Sequence, residues 1–143
     1  MGIRFTKEDL ARVLPPSSGW QKIEVQSVEV TQKVDPDTQK ISNTYKFTFE
    51  IIESAEDDKN IGRSCIRYFS SKALSFFIPL LSAIWNCSAA AAVEKVNGME
   101  PEFEPVNLKG AKAWNELKDS VYKEKPRVEV SDKWSNADEE PPF

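Results

Sequence analysis

A mainly β domain with helices inserted after its third strand is the fold class this sequence predicts, and three observations carry it. Residues 41–51 put apolar side chains at Ile41, Tyr45, Phe47, Phe49 and Ile51 and polar ones between them. Residues 20–34 alternate too, but Ile23 and Val25 keep odd positions while Val28, Val30 and Val34 keep even ones. From Ser71 onward the repeat lengthens to a helical one, with Leu74, Phe77, Ile78, Leu81, Ile84 and Trp85 along one stripe.

Residues 5–14, FTKEDLARVL, read as a short helix with Thr6 as N-cap and Glu8 and Asp9 in the first turn, where the helix dipole favours acids. PPSSG (15–19) ends it. The change of phase in the first strand requires a bulge or bend near Gln26 and Ser27, because successive side chains of a strand point to opposite faces. A long first strand bent in the middle suits a small barrel turning a corner. DPDTQ (35–39) is a turn, with proline and flanking aspartates in favoured places. The second strand follows, and then a loop over 54–60 and a third strand over 61–70, with Gly62 at a bulge or close approach.

In the helical stretch Pro79 should kink or divide the helix. Residues 88–98 form a second helix, capped by Ser88 and ended by Asn97 and Gly98. Residues 99–107 are extended by their prolines. Residues 111–124 suit a helix by composition and a strand by the spacing of Ala113, Leu117 and Val121, and both readings stand. PRVEVSDKW (126–134) is a last strand, and 135–143 an unstructured tail. Three antiparallel strands, helices, then a closing pair is the order of the OB-fold, a five-stranded antiparallel barrel, here over residues 1–134. Another small α+β sheet domain is the plainer alternative.

Composition narrows the chemistry. The chain has no histidine, which removes the commonest general base and metal ligand. Cys65 and Cys87 lack the paired spacing of a zinc site and read as free, buried thiols of a reducing cytoplasm. No glycine-rich phosphate loop occurs. Nothing therefore points to an enzyme, a metal or a cofactor. The most apolar stretch, ALSFFIPLLSAIW, is short and internal, neither a leader peptide nor a membrane span. Residues 129–143 hold one base and five acids, so the other 18 bases and 18 acids cancel and the tail carries the whole net charge of −4. A neutral body leaves room for a locally basic face.

OB-folds hold single strands on the outer face of strands two and three, with cations on phosphates and aromatic rings under bases. With Ile66 and Tyr68 taken as inward, that face presents Thr44, Lys46 and Thr48 from one strand and Arg63, Arg67 and Phe69 from the next. Lys40 and Lys72 stand at its ends, and Trp20 reaches in from the first strand. Plainer readings stand beside these: Tyr45, Phe47, Phe49 and Trp85 as core, Arg63 and Arg67 as a solvated face, Phe69 as packing beneath the helix.

The ending Asp138-Glu139-Glu140-Pro141-Pro142-Phe143 resembles that of the single-stranded-DNA-binding proteins of bacteria and their phages. The bacterial members close on a run of aspartates followed by Ile-Pro-Phe. This chain has glutamates where aspartates are usual, Pro141 in place of the isoleucine, and almost no linker. Its body resembles the small phage replication proteins of that class. The resemblance implies binding of single-stranded DNA in replication, recombination and repair, in the cytoplasm of a host cell if phage-encoded. It also implies capture of replication or recombination proteins by the tip, through Asp138, Glu139, Glu140, Pro142 and Phe143. The alternative is a protein-interaction module of a viral replication or assembly complex without affinity for nucleic acid. Phe76, Phe77 and Trp85 are candidates for self-association, which leaves a homodimer open.

Overall fold

β1 (Gly19–Val34) is the spine of the molecule, and its sixteen residues serve two neighbours in succession. The structure, a computed structural model, describes residues 2–7, 9–10 and 14–140. β1 pairs from Gln21 to Val34 with β2 (Ile41–Ser54), and on its other side pairs with β4 (Lys112–Tyr122) from Gly19 to Glu24. β2 pairs with β3 (Ser64–Ser70), and β4 with both β5 (Lys125–Glu129) and β6 (Trp134–Asn136). All pairings are antiparallel, and the order across the sheet is β3-β2-β1-β4-β5. Residues 111–124, which composition alone left between helix and strand, thus supply β4.

The change of phase in β1 is a bulge. The register against β2 steps between Val25 and Ser27, so Gln26 is the extra residue, and its Nε2 donates to Glu50 Oε2 at 3.0 Å. Before it Ile23 and Val25 are buried; after it Val28 packs against the core from the other parity. The β1–β2 turn closes on Asp35, whose Oδ1 accepts the N–H of Asp37 at 2.8 Å and of Thr38 at 3.3 Å. At the N-terminal end Thr6 and Asp9 exchange reciprocal side-chain bonds to each other's backbone N–H, the capping expected of a helix there. The rest of that expected helix includes residues outside those described.

Between β3 and β4 the chain forms a 3-10 stretch, Ser71–Phe76, and then α1 (Phe77–Trp85) and α2 (Ala89–Asn97). Pro79 falls in the first turn of α1, where a missing N–H breaks no helical bond. Ser88 Oγ accepts the N–H of Ala91 and starts α2 as expected. Among the described residues no single helix is long and apolar enough to cross a membrane.

Phe47, Phe49, Ile51, Ile23, Val25, Leu80 and Leu117 are almost wholly enclosed and form the core with Phe69 and Phe77. Phe69 stacks on Phe77 with ring centres 4.5 Å apart and meets the edge of Phe47 at 5.1 Å. Each such ring contributes roughly 1.5–3 kcal/mol by leaving water.

The expected phase of β3 is reversed. Phe69 is 2 % exposed and Cys65 is buried, while Tyr68 is 61 % and Ile66 45 % exposed. Pairing fixes this: Phe69 stands opposite Tyr45 and Cys65 opposite Phe49, both on the inner face of β2. A phenylalanine loses nothing by burial there, whereas Tyr68 would have to bury its hydroxyl. The tail also starts later than expected, because Ser135 and Asn136 belong to β6 and Asn136 Nδ2 donates to Ala83 O of α1 at 2.7 Å.

Candidate nucleic-acid interface

Lys46 occupies the outer face of β2, with Tyr68 of β3 on one side and Glu29 of β1 on the other in direct cross-strand register. The next rows of that face are Ser27, Thr48 and Ile66, and Thr31, Thr44 and Ser70. Cross-strand partners have Cβ atoms roughly 5 Å apart, so an exposed ring, a lysine stem and small hydroxyl side chains share one surface. Tyr68 is the aromatic residue that the sequence reading assigned to the interior.

Beside this face lies a groove between β3 and β5. It is lined by Ile66, Arg67 and Tyr68 on one wall and Arg127, Val128 and Glu129 on the other. Arg127 also lies over the ring of Tyr122, 4.9 Å from its centre, and Lys123 Nζ is 5.3 Å from the same ring. Lys123 and Glu124 both have positive φ, of 50° and 66°, in the two-residue turn between β4 and β5. Such a tight turn brings Tyr122 and Lys125 opposite each other at the end of the hairpin. Tyr122 and Arg127 thus extend the aromatic and basic surface, and the sequence marks them only by a lone ring among the cations of 118–127. Arg127 is bonded to Glu129, whose carboxyl is held below the usual range first by that hydrogen bond.

The remaining expected contacts are dispersed. Lys40 and Lys72 are exposed near the far end of the β1–β2 hairpin. There Asp35 lies below its ordinary pKa, chiefly because it accepts the turn N–H groups and secondarily through Lys72. Arg63 precedes β3 and donates to Leu14 O of the N-terminal segment. Trp20 lines a separate cleft with Pro79, Ser82 and Cys87 on the helical side and Trp134 of β6. Phe69, being core, is withdrawn from any ligand face.

Arg67 has an internal task. Its Nη1 donates to Val130 O and its Nη2 to Asp132 Oδ1, both at 2.8 Å, and its guanidinium lies 5.2 Å from the ring centre of Phe69. The 130–133 segment is pinned from the other side by buried Asn115, which donates to Ser131 O and Lys133 O and accepts from Ser131 N. Arg67 therefore joins β3, at one end of the strand order, to the chain leaving β5 at the other.

Of the acidic tip, Asp138 N donates to Asn136 Oδ1 and Glu139 O accepts from Trp114 Nε1, so the chain is tied to the body up to Glu139. The side chains of Asp138, Glu139 and Glu140 face solvent. Pro142 and Phe143 lie outside the described residues. No group of three or more metal-ligating side chains converges among the described residues. No protein-family model matches the chain, and no curated protein matches it in sequence.

Proposed function

We propose that this chain binds single-stranded DNA without reading its sequence, on the outer face of an OB-type barrel. The observation that carries the proposal is Tyr68. It is an aromatic ring left in solvent on a sheet face, beside Lys46 and lining the same groove as Arg127. A ring in water loses the hydrophobic stabilisation of burial, and a base stacked on it restores that at roughly 1–3 kcal/mol per base. Lys46, Lys125 and Arg127 supply cations for the phosphates, and Thr44, Thr48 and Ser70 supply hydroxyl donors. The barrel reading rests on the strand order β3-β2-β1-β4-β5 together with the Arg67 clasp between its two ends. Acids among the cations (Glu29 and Glu129) weaken attraction to the phosphates of either form, which leaves stacking on unpaired bases as the contribution that favours the single strand.

The role that follows is coverage of single strands during replication, recombination or repair, in a phage if the resemblance of the tip holds. In it the acidic end, Asp138 to Phe143, recruits partner proteins. The test is fluorescence anisotropy of a labelled oligothymidine beside the matching duplex over a salt series. Preferential binding of the single strand is expected, with log K falling by roughly 0.7 per log unit of salt for each phosphate contact. Equal or absent binding of both would overturn the reading and leave a protein-interaction module.

A further inference from the structure

Beyond Val25, among the described residues, β1 has a neighbouring strand on one side only. Its pairing with β4 covers Gly19–Glu24, and the last bonds on that side join Val25 to Gly110 and Ala111. From Gln26 to Val34, among the described residues, only β2 pairs with it. Nine residues, about 30 Å of strand, present an open ladder of backbone donors and acceptors. Natural edges of that length are blunted by prolines, bulges, charged side chains or inward-pointing charges; the bulge at Gln26 stands only at the start of this edge, and its charges, Glu29 and Lys33, are of opposite sign. Here the inward parity reads Val28, Val30, Gln32, Val34, with no proline before Pro36. The apolar side of this arm is uncovered as well: Val30 is 47 %, Val34 54 % and Ile41 of the paired strand 61 % exposed.

We infer that this edge receives the same edge of a second copy, antiparallel and centred on Thr31, to give one continuous sheet across two molecules. The register follows from charge. Centring on Thr31 sets Glu29 of each copy opposite Lys33 of the other, twice by symmetry, and sets Val28 opposite Val34 on the apolar side. Glu29 then lies between Lys33 of the second copy and its own Lys46 on β2. Centring on Val30 would leave both charges facing neutral residues, and centring on Gln32 would set Glu29 against Asp35. The two-fold axis stands perpendicular to the sheet, so Lys46 and Tyr68 of both copies fall on the same surface.

The test uses the full chain without nucleic acid, so it is independent of the DNA-binding proposal. Sedimentation velocity across the micromolar range should show a reversible dimer. Glu29→Lys or Lys33→Glu alone sets like charges opposite each other at both ends of the seam and should weaken the dimer by about tenfold or more in Kd. An equimolar mixture of the two variants should dimerise again, because only the mixed pair restores both Glu–Lys contacts. Circular dichroism melting of each variant shows whether its fold is kept. A monomeric wild-type protein, single variants that dimerise as tightly as wild type, or a mixture that stays monomeric would each overturn the inference.

Discussion

Arg67 and Asp132 meet at 2.8 Å across the seam between β3 and the chain leaving β5, and among the described residues no strand pairing bridges that seam. The guanidinium also donates to Val130 O and covers the edge of the core at Phe69. Removing it should leave a half-buried carbonyl unpaired and open the seam. Arg67→Ala is expected to lose about 1–3 kcal/mol in urea unfolding, the usual cost of a charge-assisted bond to a partly buried partner. Asp132→Asn should lose much less, because its side chain is more than half exposed and can still accept. Equal, near-zero losses would show that the seam is held by packing alone.

Tyr68 and Phe69 are neighbours in sequence with opposite fates, and their variants should separate binding from stability. Tyr68→Ala is expected to weaken oligothymidine binding by about 1–3 kcal/mol while leaving the melting temperature nearly unchanged. Phe69→Ala should cost about 3–5 kcal/mol of stability, since it empties the space between Phe47 and Phe77. Anisotropy and thermal melting of the two proteins check both halves; unaltered DNA affinity in the Tyr68 variant would remove the stacking platform.

These two residues also mark how far the sequence was legible. In β2 the alternation was unbroken, and the bulge at Gln26 followed from Ile23, Val25, Val28 and Val30 changing parity. Both are local patterns imposed by one buried face. In β3 the alternation Cys65, Arg67, Phe69 against Ile66, Tyr68 is undecided locally, because each series contains an aromatic and one contains an arginine. The structure resolves it with a partner sixty-five positions away, Asp132, which satisfies Arg67 at the rim of the core. Likewise Asn115 gives no sequence sign that it anchors Ser131 and Lys133, and β6 is only three residues long. Lys46 stands on the outer face, as its strand's unbroken alternation predicts. Arg67 and Phe69 face inward where an outward phase was expected, because the phase of their strand was not legible locally, and Arg63 donates to Leu14 O of a segment whose path no periodicity gives.

Asp35 should make the β1–β2 arm sensitive to acid. Its carboxylate accepts two turn N–H groups, which hold its pKa below the ordinary value. A carboxyl lowered on folding contributes stability above its unfolded pKa, near 3.9, and loses it as pH falls through the lower folded value. Asp35→Ala is therefore expected to melt earlier than wild type at neutral pH, with the gap closing below about pH 4. Asp35→Asn, which keeps the acceptor without the charge, should fall between them. A gap constant from neutral to acid would show that the turn does not use the charge.

Cys65 and Cys87 should differ in reactivity by their surroundings alone. Burial against Phe49 and the core pushes the Cys65 thiol up to about 12, so at mildly alkaline pH it stays protonated and inaccessible. Cys87 is half-exposed in the cleft beside Trp20, where a reagent can reach it. Native protein treated with a chromogenic disulfide reagent should release one equivalent quickly, and the second only at the rate of global opening or after denaturation. Because Tyr68 stands in solvent on the outer face and Cys65 on the inner one, Tyr68→Ala should leave the slow phase unchanged. Phe69→Ala should speed it by at least the factor its lost stability implies, if opening is at equilibrium. Two fast equivalents from the wild-type protein would place Cys65 outside the core and undo the assigned phase of β3.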